Sequence, residues 1–336
     1  MNYYSGIDLH SDNCYIATID SDGQLCKEQR VPNAELHIAK YFNSLPGEHS
    51  AVVESTTGWY WLNDLLESLG IDLVLAHAKY LKAISYAKVK TDKIDAHTLA
   101  VLLRQNLIPK AHKISRELRD FRDTMRARAR IVQQRTVSLT RRHGLGMKFN
   151  FTDSLSRQSQ LLDALLEEQT NFFEQQILCL EKSLHPSLIH NDDIQRLLYI
   201  PGIGKVTAFS IYLEIDGIER FPTDKNFFSY CRLVPSAKNS NKNAKQRSSK
   251  DGNRYLKIAF SDAAVHAIQY YPEIRNFFNK MVRRSNEPTA RAIVAKELAK
   301  IVFYVLKNKT PYRGFKGLPI SRQKSVQWPR LKSPAA

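Results

Sequence analysis

No proline occurs between Pro109 and Pro186, and glycine in that interval is limited to Gly144 and Gly146. Proline removes a helix hydrogen bond and glycine weakens a helix, so a long stretch nearly free of both is built for long helices. Leu118, Phe121, Met125, Val132 and Leu139 form a narrow apolar seam. After a break near Asp153, residues 161–184 read as helix again, with Leu165, Phe172, Ile177 and Leu180 available for packing. The spacing predicts two long helices over 111–190, paired as an antiparallel or intersubunit coiled coil. A helical linker inside one globule is the alternative.

This middle separates two regions of different character. Residues 1–110 read as α/β. Strands are predicted over 3–9, 14–19 and 24–31, with a turn at Ser21-Asp22-Gly23. Asn33 is the expected N-cap of a helix carrying Leu36, Ile38, Ala39, Phe42 and Leu45. A short strand follows at 51–53, then a helix over 59–69 ended by Gly70, a strand at 73–75 and a further helix. A meander followed by alternating helices and strands predicts a mixed sheet covered by helices.

Residues 191–310 form a second, mostly α-helical unit. A helix ends at Pro201, and Ile200-Pro201-Gly202-Ile203-Gly204-Lys205 leads into the next one. Gly202 and Gly204, with Lys205, read as a tight turn exposing N–H groups at a helix start, which suits a phosphate. The turn resembles the helix-hairpin-helix element of backbone-contacting DNA binders; a purely structural turn explains it equally well. Further helices are expected over 224–231, 252–268, 274–282 and 289–306. Residues 311–336 carry four prolines among many Lys and Arg and read as a basic, poorly ordered tail.

Charge narrows the partner. Lys plus Arg total 50 against 33 Asp plus Glu, a net +17 over 336 residues. That balance disfavours a free-standing metabolic enzyme and favours a polyanion, because neutralised phosphates release counterions, with an anionic membrane surface as the other candidate. Eleven of these cations lie between Lys113 and Lys148, Arg126 and Arg130 among them, opposed by Glu117, Asp120 and Asp123. A second basic set comprises Lys238, Lys242, Lys245, Arg247, Lys250, Arg254 and Lys257, opposed by Asp251. No apolar run approaches the roughly 18 residues of a membrane span, and the start carries no secretory signal pattern. Four scattered cysteines without a CxxC pair argue against a disulfide framework or zinc knuckle and fit a reducing cytoplasm.

Four carboxylates stand out. Asp8, in Gly6-Ile7-Asp8-Leu9-His10, and Glu54, after Ala51-Val52-Val53, fall near strand ends. Asp92 and Asp95 fall where a helix begins and share one of its faces. Phosphodiester transfer needs neutralised charge on the scissile phosphate and an activated oxygen, which divalent ions held by converging carboxylates supply. Each acid also has an ordinary reading: a turn residue at a strand end, or an N-cap at Asp92. His10 is on the Asp8 face if the strand persists; a surface histidine is at least as natural a reading. Trp59 and Trp61 are read as packing residues.

Six collinear segments carry a family resemblance. They are Gly6-Ile7-Asp8; Val53-Glu54-Ser55-Thr56 with Gly58; Lys90-Thr91-Asp92-Lys93-Ile94-Asp95-Ala96; Ile200-Pro201-Gly202-Ile203-Gly204; 228–235; and 250–256. Together the chain resembles the DEDD-type insertion-sequence transposases, the family of the Piv-like DNA invertases and the bridge-RNA-guided recombinases. The resemblance implies an N-terminal RuvC/RNase H-like catalytic domain and makes Asp8, Glu54, Asp92 and Asp95 an acidic tetrad for Mg²⁺, with Mn²⁺ as a substitute. It further implies a nucleophilic serine shortly after Leu233-Val234-Pro235. That position is Ser240, although Asn241 stands where the family carries glycine, with Ser236 as the second choice.

The implied activity is DNA cleavage and strand exchange through a phosphoserine link, at a composite site shared between subunits of a dimer or tetramer. The implied partners are DNA, as element ends and target, and a structured guide RNA, in a cytoplasmic, nucleoid-associated protein. Three rivals stay open: a junction-resolving nuclease in which water attacks, a site-specific DNA invertase, and a nucleic-acid-binding protein without activity.

Overall fold

The computed structural model describes residues 1–56, 58–84, 91–148, 156–236, 247–248 and 251–315. The chain divides into two compact units, Met1–Lys113 and Ile114–Ala336.

The first unit is a five-stranded mixed sheet of order β3-β2-β1-β4-β5. Strands β1 (Asn2–Leu9), β2 (Asn13–Ile19) and β3 (Leu25–Pro32) form the expected antiparallel meander. Strands β4 (Glu48–Glu54) and β5 (Asp72–Ala76) add in parallel beside β1. The parallel pairs need crossovers, and α1 (Glu35–Asn43) and α2 (Trp59–Ser68) supply them. A short helix, α3 (Ala78–Ile84), precedes α4 (Asp92–Arg104). Ile7, Ile16, Val52, Val53, Leu62, Leu66 and Leu73 are buried in this unit.

The N-cap expectation at Asn33 is corrected. Ala34 occupies the N-cap of α1 without a side-chain bond. The Asn33 side chain instead donates to the carbonyls of His10 and Ser11, at 2.8 and 3.1 Å. Its amide serves the turn between β1 and β2, a long-range role that local helix signals do not reveal.

In the second unit, α5 (Arg119–Lys148) and α6 (Arg157–Leu188) pack side by side. Their pairing runs antiparallel: Arg128 meets Glu181 at 2.7 Å, Arg135 meets Glu174, and Arg142 meets Asp163 at 2.8 Å and Glu167 at 3.0 Å. Arg128, Arg135 and Arg142 are seven residues apart, as are Glu167, Glu174 and Glu181, so the ion pairs repeat every two helical turns. At its base the apolar seam joins the core of the unit, where Leu118, Phe121 and Met125 lie with Leu184 and Leu188. Higher up, Ser138 donates to Gln169 at 2.7 Å, and Val137 and Leu139 are exposed.

The remaining helices are α7 (Asp192–Leu198), α8 (Lys205–Ile215), α9 (Asp224–Tyr230), α10 (Arg254–Tyr270), α11 (Pro272–Val282) and α12 (Glu287–Lys307). Their core holds Leu197, Phe209, Ile211, Phe227, Leu256, Phe260, Leu298 and Phe303. Residues 235–236 and 247–248 pair as short antiparallel strands. The tail expectation is corrected at its start: Tyr312 and Phe315 are buried in the same core, with Phe315 5.4 Å from the Phe277 ring. Residues 316–336 lie outside the described residues.

Candidate active site

Parallel strands end at the same sheet edge, which sets the positions of the first two acids. Ile7 pairs with Val53, and Asp8 and Glu54 are the next residues on their strands. The third element is fixed by Gly6. A Cβ there would lie 2.0 Å from the Ala96 carbonyl oxygen and 2.6 Å from the Ala100 nitrogen. Only a residue without a side chain lets α4 lie this close against β1. The first turn of α4 carries Asp92 and Asp95. Thr91, not Asp92, caps the helix, its hydroxyl accepting from the Ile94 amide. Asp92 is therefore released from the capping role that was its ordinary explanation.

The structure brings Asp8 and Asp92 together, with His10 between them. His10 Nε2 is 3.3 Å from Asp8 Oδ2 and 3.4 Å from Asp92 Oδ2. One donor atom from each of the three lies within 4.8 Å of the others, close enough to hold one metal ion. Glu54 stands at the end of the neighbouring strand, and Asp95 three residues further along the first turn of α4. Arg30, from β3, also reaches Asp92 Oδ2, at 2.5 Å, and Asn13 Oδ1, at 3.2 Å. Burial and the Asp8 charge push the nearby Cys14 thiol up to about 12, so in the metal-free protein it stays protonated. The donor set is thus two carboxylates and an imidazole, which suits a hard or borderline divalent cation. Arg30 was missed in the sequence: a lone arginine on an edge strand carries no local signal.

The expected nucleic-acid contacts divide. Arg130, Lys205 and Arg254 are exposed, Lys205 Nζ lying 3.0 Å from His185 Nε2 and Arg254 lying over the Tyr255 ring. Arg126 is engaged inside the second unit. Its guanidinium donates to both oxygens of Glu214, at 2.6 and 2.8 Å, and stands over Tyr255. Arg122 and Asn253 donate to the same buried carboxylate, at 3.0 and 2.6 Å. Burial alone would push the Glu214 carboxyl up, but the bonds and charges of the two arginines, with Asn253, hold it below its ordinary value. A guanidinium satisfied by a buried carboxylate has little left for a phosphate, so Arg126 is corrected to a structural residue.

Gly202 is corrected in part. Its φ is +79°, and a Cβ would lie 2.1 Å from the Ala263 carbonyl oxygen, so it serves the close passage of the turn against α10. Gly204 is the N-cap of α8, in extended backbone. Ser240, Lys238, Lys242, Lys245 and Lys250 lie outside the described residues. Arg247 is on the short strand paired with Ser236.

Comparison with known proteins places the chain among transposases. Residues 5–145 match the family model of DEDD transposases of the IS110 type, described as a transposase. Residues 194–279 match the transposase IS116/IS110/IS902 family. The transposase for insertion sequence element IS1111A of Coxiella burnetii is 24% identical over 336 residues, spanning 92% of this chain and 90% of the relative. A probable family 20 transposase of Pseudomonas aeruginosa is 22% identical, over 92% of this chain and 98% of its own. The transposase for insertion sequence element IS1533 of Leptospira borgpetersenii is 34% identical over 106 residues, 30% of each chain.

These matches put the chain in the class of DNA recombinase enzymes. Within that class it belongs with the insertion-sequence transposases of the IS110/IS116 family.

Proposed function

We propose that this transposase cleaves and joins DNA strands with a RuvC-like carboxylate site in its first unit and Ser240 as nucleophile. The observation that carries the reading is the convergence of Asp8 and Asp92 at the strand ends, on a helix that Gly6 admits to that position. A bound Mg²⁺, or Mn²⁺ in its place, would supply Lewis-acid stabilisation of the scissile phosphate and lower the pKa of an attacking oxygen. Asp8, Glu54, Asp92 and Asp95 would hold it, with Arg30 orienting Asp92. The Ser240 hydroxyl forms the new P–O bond while the bond to the departing deoxyribose oxygen breaks; the serine proton is lost and the departing oxygen gains one. A freed DNA hydroxyl reverses this step and completes strand exchange.

The exposed Arg130, Lys205 and Arg254, with Lys238, Lys242, Lys245, Arg247 and Lys250, serve the phosphate backbone. A structured RNA pairing with element ends and target would supply sequence selection, for which diffuse basicity suffices. Self-association uses the exposed stripe of Leu161, Leu165 and Phe172 on α6, which recurs at helical spacing. No described helix is long and apolar enough to cross a membrane, and a cytoplasmic, nucleoid-associated protein fits these partners.

The test is covalent trapping on element-end DNA. A denaturation-resistant protein–DNA adduct is expected with the wild type and with Ser236→Ala, and none with Ser240→Ala. Free ends without an adduct in the wild type would favour attack by water and contradict the serine mechanism.

A further inference from the structure

The imidazole of His10 is unexplained by an all-carboxylate site, and its placement is not casual. It opens the turn between β1 and β2, where the His10 amide donates to the Asn13 carbonyl at 3.0 Å. The Asn33 side chain donates to the His10 carbonyl, and the Asn33 amide to the Asp12 carbonyl at 3.0 Å. These bonds fix the backbone from which the ring projects. The same nitrogen, Nε2, faces one carboxylate oxygen of Asp8 and one of Asp92.

The separations distinguish two roles for that nitrogen. A charge-assisted N–H···O bond is about 2.7–2.9 Å long, and both separations here, 3.3 and 3.4 Å, exceed that. Ligands at right angles around an ion with bonds of about 2.1 Å lie about 3 Å apart. Both separations also lie beyond the roughly 2.7–3.2 Å of an ordinary N–H···O bond, and the three donor atoms lie within 4.8 Å of one another, as donors to one ion must.

Resting on the divalent-metal reading above, we propose that His10 is a nitrogen ligand of the ion held by Asp8 and Asp92, and that it biases the site towards Mn²⁺ over Mg²⁺. Mg²⁺ favours oxygen donors and gives up water reluctantly, whereas transition ions gain from an imidazole. Arg30 remains on Asp92 as an outer partner that holds the carboxylate in orientation.

The experiment uses the full chain and the metal ions alone. Mn²⁺ and Mg²⁺ are titrated by calorimetry into the wild type, His10→Ala, His10→Asp and Asp8→Asn, and pulsed electron paramagnetic resonance on the Mn²⁺ form reads directly bonded nitrogen. The wild type should bind Mn²⁺ with a ¹⁴N coupling. His10→Ala should lose that coupling and bind Mn²⁺ about tenfold or more weakly, with Mg²⁺ changed by no more than about threefold. His10→Asp should restore binding without the coupling and narrow the preference for Mn²⁺. If the wild type binds Mn²⁺, Asp8→Asn abolishes it, and His10→Ala matches the wild type without any nitrogen coupling, the histidine ligand is refuted while the carboxylate site stands. If the wild type binds neither ion, or Asp8→Asn leaves binding intact, both readings fail together.

Discussion

Replacing Gly6 with alanine would place a methyl carbon 2.0 Å from the Ala96 carbonyl oxygen, 2.6 Å from the Ala100 nitrogen and 2.7 Å from Leu99 Cβ. Two of these atoms are helix backbone and cannot swing aside as a side-chain tip would. Ordinary contact begins near about 3.4 Å, so α4 must retreat from β1 by about 1 Å or more. Overpacking of this kind costs about 1–3 kcal/mol, and backbone obstruction puts Gly6→Ala at the upper end. For a unit of about a hundred residues that corresponds to a fall in Tm of roughly 10–20 °C. Because Asp92 rides on the first turn of α4, the same retreat opens the donor cluster, and Mn²⁺ affinity should fall about tenfold or more. Gly144→Ala supplies the contrast: it sits in α5 with nothing within 4 Å of its Cβ position, and should raise stability by about 0.4–1 kcal/mol. Thermal melts followed by calorimetric Mn²⁺ titration read both quantities. A Gly6→Ala chain that melts with the wild type and binds Mn²⁺ unchanged would refute the claim that close helix approach builds the site.

The other predictions concern the second unit. Glu214→Gln leaves two arginines without their buried counter-charge and should cost about 3–5 kcal/mol in urea unfolding. The folded pKa of Glu214 is depressed, so its stabilisation is present above its ordinary value near 4.5 and is lost as pH falls through the depressed value. The acid limb of the stability curve should therefore flatten in Glu214→Gln, measured by melts between about pH 3 and 7. Arg126→Ala should lower stability while leaving the salt dependence of DNA binding nearly unchanged. Arg130→Ala should do the reverse, reducing the slope of log K against log salt by about 1 with no loss in melting temperature.

Much of the first unit is legible from local pattern. The meander, both crossover helices and the two strand-end acids follow from apolar alternation and turn residues, because each signal spans only a few neighbours. Asp92 and Asp95 are legible as a helix start, although Thr91 takes the cap. What stays hidden depends on distant partners. Asn33 looks like a cap because its local sequence is that of a helix start, yet it serves a turn more than twenty residues earlier. Arg126 looks like a phosphate ligand in a basic helix until Glu214, 88 positions away, is placed against it. Gly202 reads as a phosphate cradle for the same reason: α10, which it must let pass, is remote in sequence. Ser240 is proposed as nucleophile from family resemblance alone, since a serine in a polar loop has no distinguishing local physics.

The most direct test of the carboxylate site as the centre of strand cleavage is movement of the native element in cells supplied with wild-type or Asp8→Asn protein at matched abundance. The site as built predicts that Asp8→Asn, and likewise Asp92→Asn, lowers transposition about a thousandfold or more, in line with losing charge stabilisation at a scissile phosphate. Transposition at the wild-type frequency in Asp8→Asn would contradict it.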